Sequence, residues 1–114
     1  MYSVTFIFQK RQYDTDFHAL NDAVDAIAKA NSGYIGKEYW QSPDGQTLAA
    51  VYYWKTLEEL REFSRSPVHL EAKSRYAEWY RGYHVVVAQV VRVYGDGNLD
   101  HPTSGFGGGG GPRR

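Results

Sequence analysis

The sequence predicts an α+β domain of ferredoxin-like plan, β-α-β-β-α-α-β, on a four-stranded antiparallel sheet. Three observations predict it. Runs of strand period alternate with runs of helix period in that order. Ser42-Pro43-Asp44-Gly45 is a strong turn that makes a hairpin of the two middle strands, and Ser66-Pro67 breaks the second crossover into two helices.

Strand one is Tyr2 to Phe8, with Tyr2, Val4, Phe6 and Phe8 on one face and Ser3, Thr5 and Ile7 on the other. From Tyr13 the period changes. Phe17, Leu20, Val24, Ile27 and Ala28 form one helical stripe, Asp14 or Thr15 can cap its first turn, and Asn31-Ser32-Gly33 stops it, so helix one spans about Thr15 to Ala30. Tyr34 to Gln41 and Leu48 to Trp54 are strands two and three. Thr56 and Glu59 then form a capping box for a short helix that buries Leu57, Leu60 and Phe63 and ends near Arg65. The next helix starts at Ser66-Pro67, turns His69, Ala72, Tyr76 and Trp79 or Tyr80 inward, and ends at Gly82.

Strand four, Tyr83 to Tyr94, is apolar on both faces: Val86, Ala88 and Val90 on one, Val85, Val87, Val91 and Val93 on the other. A half-solvated antiparallel sheet alternates apolar and polar residues instead. Helices can cover one face, and nothing else in the chain is long enough to cover the second. A second copy's sheet would do so, which predicts a homodimer through the sheet face. Residues 1–95 thus read as the domain. Beyond them the composition turns glycine-rich, too poor in apolar residues to offset its ordering entropy. Residues 96–106 are expected to form an arm lying on the partner, and 107–114 to be disordered.

With 114 residues the chain is one domain with room for one site. Thirteen basic residues balance thirteen acidic ones, and no basic stripe points to nucleic acid. The lack of cysteine removes disulfides, thiolate metal sites and thiol nucleophiles, and fits a reducing cytoplasm. No apolar run approaches the roughly 18 residues of a membrane span, and the N-terminus lacks the pattern of a signal peptide. A soluble cytoplasmic protein is expected. No metal-ligand spacing, phosphate loop or nucleophile elbow occurs.

The stretch from Tyr52 to His84 concentrates tyrosine, tryptophan and histidine. Gly33-Tyr34-Ile35-Gly36 opening strand two, Tyr53-Trp54-Lys55-Thr56-Leu57-Glu58-Glu59-Leu60 leading into a helix, and Ser66-Pro67-Val68-His69 opening the next carry a resemblance over residues 2–94. With them the chain resembles the dimeric α/β-barrel superfamily and, within it, the antibiotic-biosynthesis-monooxygenase (ABM)-like domains. The resemblance implies a dimeric barrel, with a pocket between each subunit's sheet and helices. Members include cofactor-independent oxygenases of polycyclic aromatics, haem-degrading oxygenases, aldoxime dehydratases, isomerases and proteins of no known activity, so fold does not settle function.

The haem-degrading branch places its iron-binding histidine, in an Ala-His motif, near position 73. Here that position is Lys73, the helical histidine is His69, Phe63 stands where the ruffling tryptophan is expected, and the strand-one asparagine is missing. These departures argue against that branch. His69 or His84 binding haem in another geometry stays as an alternative.

His69 is the expected base, because its stripe turns it inward beside Trp54 and a neutral imidazole accepts a proton near pH 7. Tyr53 and Tyr76 are expected to orient substrate oxygens. Trp54, Phe63, Trp79, Tyr80 and His84 are expected to line a cavity for a flat aromatic ligand. For any single ring, filling the core or an interface is the plainer role. His18 with Asp14 reads as a surface pair, and His101 as a tail residue. The function expected is a cofactor-independent monooxygenase-like enzyme acting on a small aromatic or polyketide-like compound. The alternatives are a non-catalytic ligand-binding or structural dimer, or a haem-binding protein of the same superfamily.

Overall fold

A computed structural model describes residues 1–106, so the expectation for 107–114 lies outside the described residues. The elements are β1 (Tyr2–Lys10), α1 (Thr15–Ala30), β2 (Tyr34–Gln41), β3 (Thr47–Trp54), α2 (Leu57–Ser64), α3 (Pro67–Ser74), α4 (Tyr76–Trp79) and β4 (Tyr80–Gln89). One sheet runs β2-β3-β1-β4, antiparallel throughout. This is the ferredoxin-like order predicted from the period changes.

The predicted start signals act as read. Asp14 caps α1 by accepting from the Phe17 amide at 2.8 Å, Thr56 caps α2 from Glu59, and Ser66 caps α3 with Pro67 in its first turn. Each cap satisfies an amide that has no partner inside its helix.

Register then decides which side chains meet. Tyr2 pairs with Trp54, Val4 with Tyr52 and Phe6 with Ala50, so these side chains share one face. That face packs under the helices: Ala28, Trp54, Leu60 and Phe63 form the core, with Val4, Val24, Ile27, Tyr34, Tyr52 and Leu57 against it. Ser3, Tyr53, Val51 and, across β1, His84 and Val86 belong to the opposite, outer face.

The segment 75–94 departs from expectation. The predicted long helix breaks at Arg75, where φ −102 and ψ 11 leave the helical region, and α4 is a single turn. The stripe His69, Ala72, Tyr76, Trp79 therefore does not run along one helix. Gly82 lies inside β4 instead of ending a helix, because a register shift at Gln9/Lys10 lets Tyr80 begin the strand. β4 ends at Gln89, so Val91 and Val93 lie beyond it, and Val91 is 93% exposed.

β4 is also an edge strand left open on both sides. Val86 on the outer face is 44% exposed and Val87 on the helix face 52%, so α2 and α3 stop short of it. The arm lies on its own sheet. His101, Pro102 and Thr103 sit over Gly36, Glu38 and Tyr53 on the outer face, and Thr103 is buried.

Candidate functional site

β3 ends in two aromatic residues that point opposite ways. Trp54 enters the helix side and is fully buried, and its indole lies 4.9 Å from the ring of Phe63 in α2. Phe63 in turn lies 4.8 Å from the imidazole of His69 in the first turn of α3, and Tyr34 meets Trp54 edge-on at 5.3 Å. Tyr34, Trp54, Phe63 and His69 thus form a continuous row of rings under α2 and α3. The inward direction read for His69 holds.

Two polar atoms in this row have no partner among the described residues: Trp54 Nε1 and His69 Nδ1, both buried. Leaving such a group unpaired costs about 1–3 kcal/mol, which is why unpaired buried atoms are scarce and informative. Burial is the main cause that lowers the His69 pKa; contact with the Ser64 backbone raises it and nearby Lys73 lowers it. A neutral imidazole carries one N–H and one lone pair, and with the proton on Nε2 the unpaired Nδ1 is the acceptor. In that tautomer the row holds one free donor, the indole N–H, and one free acceptor, on side chains that both touch Phe63.

The lowered pKa has a consequence for stability. Folded His69 binds its proton less readily than an unfolded histidine of pKa 6.5. Stability from this group is therefore complete above pH 6.5 and is lost as pH falls below it toward the folded value. His69→Gln removes the titration. Urea unfolding at several pH values between about 5 and 7.5 should show stability falling faster toward acid in the parent than in the variant.

The remaining predicted residues do not join this row. Tyr53 lies on the outer face, where its hydroxyl donates to Glu38 Oε1 at 2.8 Å; burial, then Glu38, push its pKa up to about 12. The sheet separates it from His69, so the two cannot act on one ligand atom. His84 is exposed on the outer face opposite Ile7, so it neither shares this site nor reaches a haem held by His69. Lys73 and Phe63 keep the two departures from the haem-degrading pattern.

Trp79 and Tyr80 belong to a second aromatic nest with Phe6, Phe8, Tyr13 and Phe17. Trp79 is buried, its Nε1 donates to Asp14 at 3.1 Å, and Arg75 lies 4.9 Å over its ring. Its polar atom is satisfied, unlike that of Trp54. Burial raises the Tyr80 hydroxyl above its ordinary range. Tyr76 is turned out by the break at Arg75, 40% exposed against Tyr83 at 4.9 Å.

Sequence reasoning passed over Tyr34, Tyr52 and the ion pair that ties α1 to β2. Lys37 Nζ donates to Asp25 Oδ1 at 2.6 Å and to the Tyr39 hydroxyl at 3.2 Å, while Tyr52, mainly through burial and then through Tyr39, is raised well above the ordinary phenol range. The parity of Lys37 and Tyr39 on β2 was the available signal. A separate open groove of about 520 Å³, lined by Glu58, Arg61, Glu62, Arg65 and Ser66, runs along the outside of α2. Its walls are mostly charged, and the unpaired atoms are not among them, so we place the candidate chemistry at the aromatic row.

A split β-α-β sheet with Trp54 at a strand end and a histidine opening the helix after a Ser-Pro break defines a member of the dimeric α/β-barrel superfamily of ABM-like proteins. Within it the chain belongs to the family described as monooxygenase af470-like, which matches residues 3–90. It is 28% identical over 92 residues to the uncharacterized protein YqjZ of Bacillus subtilis, covering 80% of each chain. Among solved structures it is similar to Rv0793 of Mycobacterium tuberculosis, with TM-score 0.68, 23% identity and 82% and 98% of the two chains covered. It is also similar to SnoaB, a cofactor-independent oxygenase of Streptomyces nogalater, with TM-score 0.66, 10% identity and 81% and 94% covered. At these identities the structures share the fold. Among the described residues no helix is long and apolar enough to cross a membrane, and no group of three or more His, Asp or Glu is placed to hold a metal ion.

Proposed function

We propose that the protein is a cofactor-independent monooxygenase acting on a small electron-rich phenol or enol of aromatic or polyketide type, bound beside Phe63 between His69 and Trp54. The observation that carries this reading is two buried polar atoms without partners, His69 Nδ1 and Trp54 Nε1, on side chains flanking one ring. A substrate hydroxyl satisfies both: its proton goes to His69 Nδ1, and its oxygen accepts from the indole N–H. Membership of a monooxygenase-like family and likeness to an oxygenase that uses no cofactor support the same class.

The chemistry needs little from the protein beyond that. Once deprotonated, the substrate anion supplies the electrons. An activated CH2 and O2 give C=O and H2O: one oxygen atom enters the substrate, the other leaves as water, and the substrate carbon loses the four electrons O2 gains. His69 holds the proton and Trp54 steadies the anion's charge, in surroundings made of rings that exclude water. The protein works as a cytoplasmic homodimer through the outer sheet face, where Trp40 is 64% and Val86 44% exposed.

With an anthrone-type substrate, no added metal or flavin and chelator present, O2 uptake should equal product formed, and 18O2 should place one labelled atom in each product molecule. Binding without any O2 uptake would remove the enzyme reading. It would favour the second one, a non-catalytic ligand-binding or structural dimer, whose structural form the close filling of the interior by Trp54 and Phe63 supports.

A further inference from the structure

The outer face of the sheet carries a polar cluster that the proposed chemistry does not use. Glu38 of β2 accepts from two sides: its Oε1 from the Tyr53 hydroxyl at 2.8 Å, and its Oε2 pairs with His101 Nε2 at 2.7 Å. The imidazole then turns back on its own segment. His101 Nδ1 accepts from the Thr103 amide at 3.1 Å and lies 2.8 Å from the Thr103 hydroxyl, while the His101 amide donates to Ser104 Oγ at 3.1 Å. Thr103 is 3% exposed, and the His101 ring meets Tyr53 edge-on at 5.5 Å. A glycine-rich stretch that composition marks as floppy is therefore fastened at one point by a closed set of bonds.

The fastening has a defined place. Pro102 sits on Gly36, where an added Cβ would come within 2.8 Å of the proline Cβ, so the arm lies flat there only because position 36 is glycine. Gly36 ends the register shift that begins at Tyr34, and the partners of these two residues across β3 are Tyr53 and Trp54. The inner-face members of that irregularity, Tyr34 and Trp54, are half of the aromatic row. Its outer-face members, Gly36 and Tyr53, carry the arm.

We propose that residues 101–103 are a clasp that positions the Trp54 end of the candidate site from behind the sheet, with His101, Glu38 and Gly36 as positioning residues. Seating the arm fixes the irregular end of the β2–β3 hairpin from outside, so the direction of the Trp54 indole on the inside depends on it. When the arm lifts, Tyr53 and Glu38 lose their third partner, the hairpin end loosens, and the indole N–H loses its fixed aim. The functional consequence rests on Trp54 being part of the site. The coupling itself does not, and it is measured without substrate.

The test uses the full chain. In His101→Ala, and separately in Gly36→Ala, hydrogen exchange at the Thr103 amide reports whether the arm is released, and the indole N–H resonances of Trp54 and Trp79 report each end of the helix side. Both variants should exchange Thr103 at least about tenfold faster, shift and broaden the Trp54 signal, and leave that of Trp79 in place. Gly45→Ala, strained by φ +72 at the far turn of the same hairpin with open space around it, is the control for lost stability alone. It should lower the urea midpoint and leave Trp54 unmoved. If Gly36→Ala does not fold, His101→Ala decides the matter. Thr103 still protected in His101→Ala, or a released arm with an unchanged Trp54 signal, would overturn the clasp. A Trp54 shift in Gly45→Ala as large as in His101→Ala would reduce it to general stability.

Discussion

Trp54→Ala should lower the unfolding free energy by about 3–5 kcal/mol, the range for emptying a fully buried large aromatic site. Trp54 has no exposed surface and touches Tyr34, Phe63 and the Ala28–Leu60 cluster, so neighbours from three elements would have to collapse into the space. For a domain whose whole stability is about 5–15 kcal/mol, that is a large fraction. Trp54→Phe separates packing from chemistry. It keeps most of the volume and removes an N–H that has no protein partner, so its cost should stay below about 1.5 kcal/mol while the donor is lost. Urea unfolding of the two variants gives both numbers. Equal costs would mean that the indole N–H has a partner after all.

His69→Ala should reduce turnover by about 10²–10⁴-fold, the usual contribution of a positioned base, while moving the urea midpoint much less. The imidazole is at the edge of the core, in the first turn of α3, and its removal leaves the Ser66 cap and the Phe63–Trp54 contact intact. Because burial lowers its pKa, His69 is already neutral at pH 7, so turnover should be flat there and fall only toward acid. Steady-state rates from about pH 5 to 8 in both proteins check this. Loss of the acid limb together with the rate identifies His69 as the group that titrates.

How far the sequence carried can be told from particular residues. Periodicity and caps placed β2 and α1 at their observed bounds because both signals are local: alternation, an apolar stripe, Asp14 and Asn31. His69 was found inward for the same reason, since Ser66-Pro67 fixes the phase of its helix. The departures have different causes. Tyr53 was grouped with Trp54 although neighbours on a strand face opposite ways; period two alone forbids the pair. The stripe through Tyr76 failed at Arg75, where no glycine or proline announces the break. His84 misses the row because the face it occupies depends on the β1–β4 register, and register is not written in either strand alone.

The arm shows the other limit. Composition judged 96–106 by what it could bury, whereas the segment is held by polar bonds to Glu38 and by the bare surface of Gly36, sixty-odd residues earlier in the chain. In β4 the expected helix cover of one face is missing. Val86 and Val87 stand on opposite faces and are each about half exposed.

The three tryptophans offer the most direct test of where the ligand binds. Trp54 lies in the row with His69, Trp79 in the second nest bonded to Asp14, and Trp40 on the outer face. A titration with 1-naphthol, a flat phenol, followed by the three indole N–H resonances, should move the Trp54 signal to saturation and leave Trp79 and Trp40 where they are. A saturable shift of Trp79 or Trp40 with Trp54 unchanged would contradict the site.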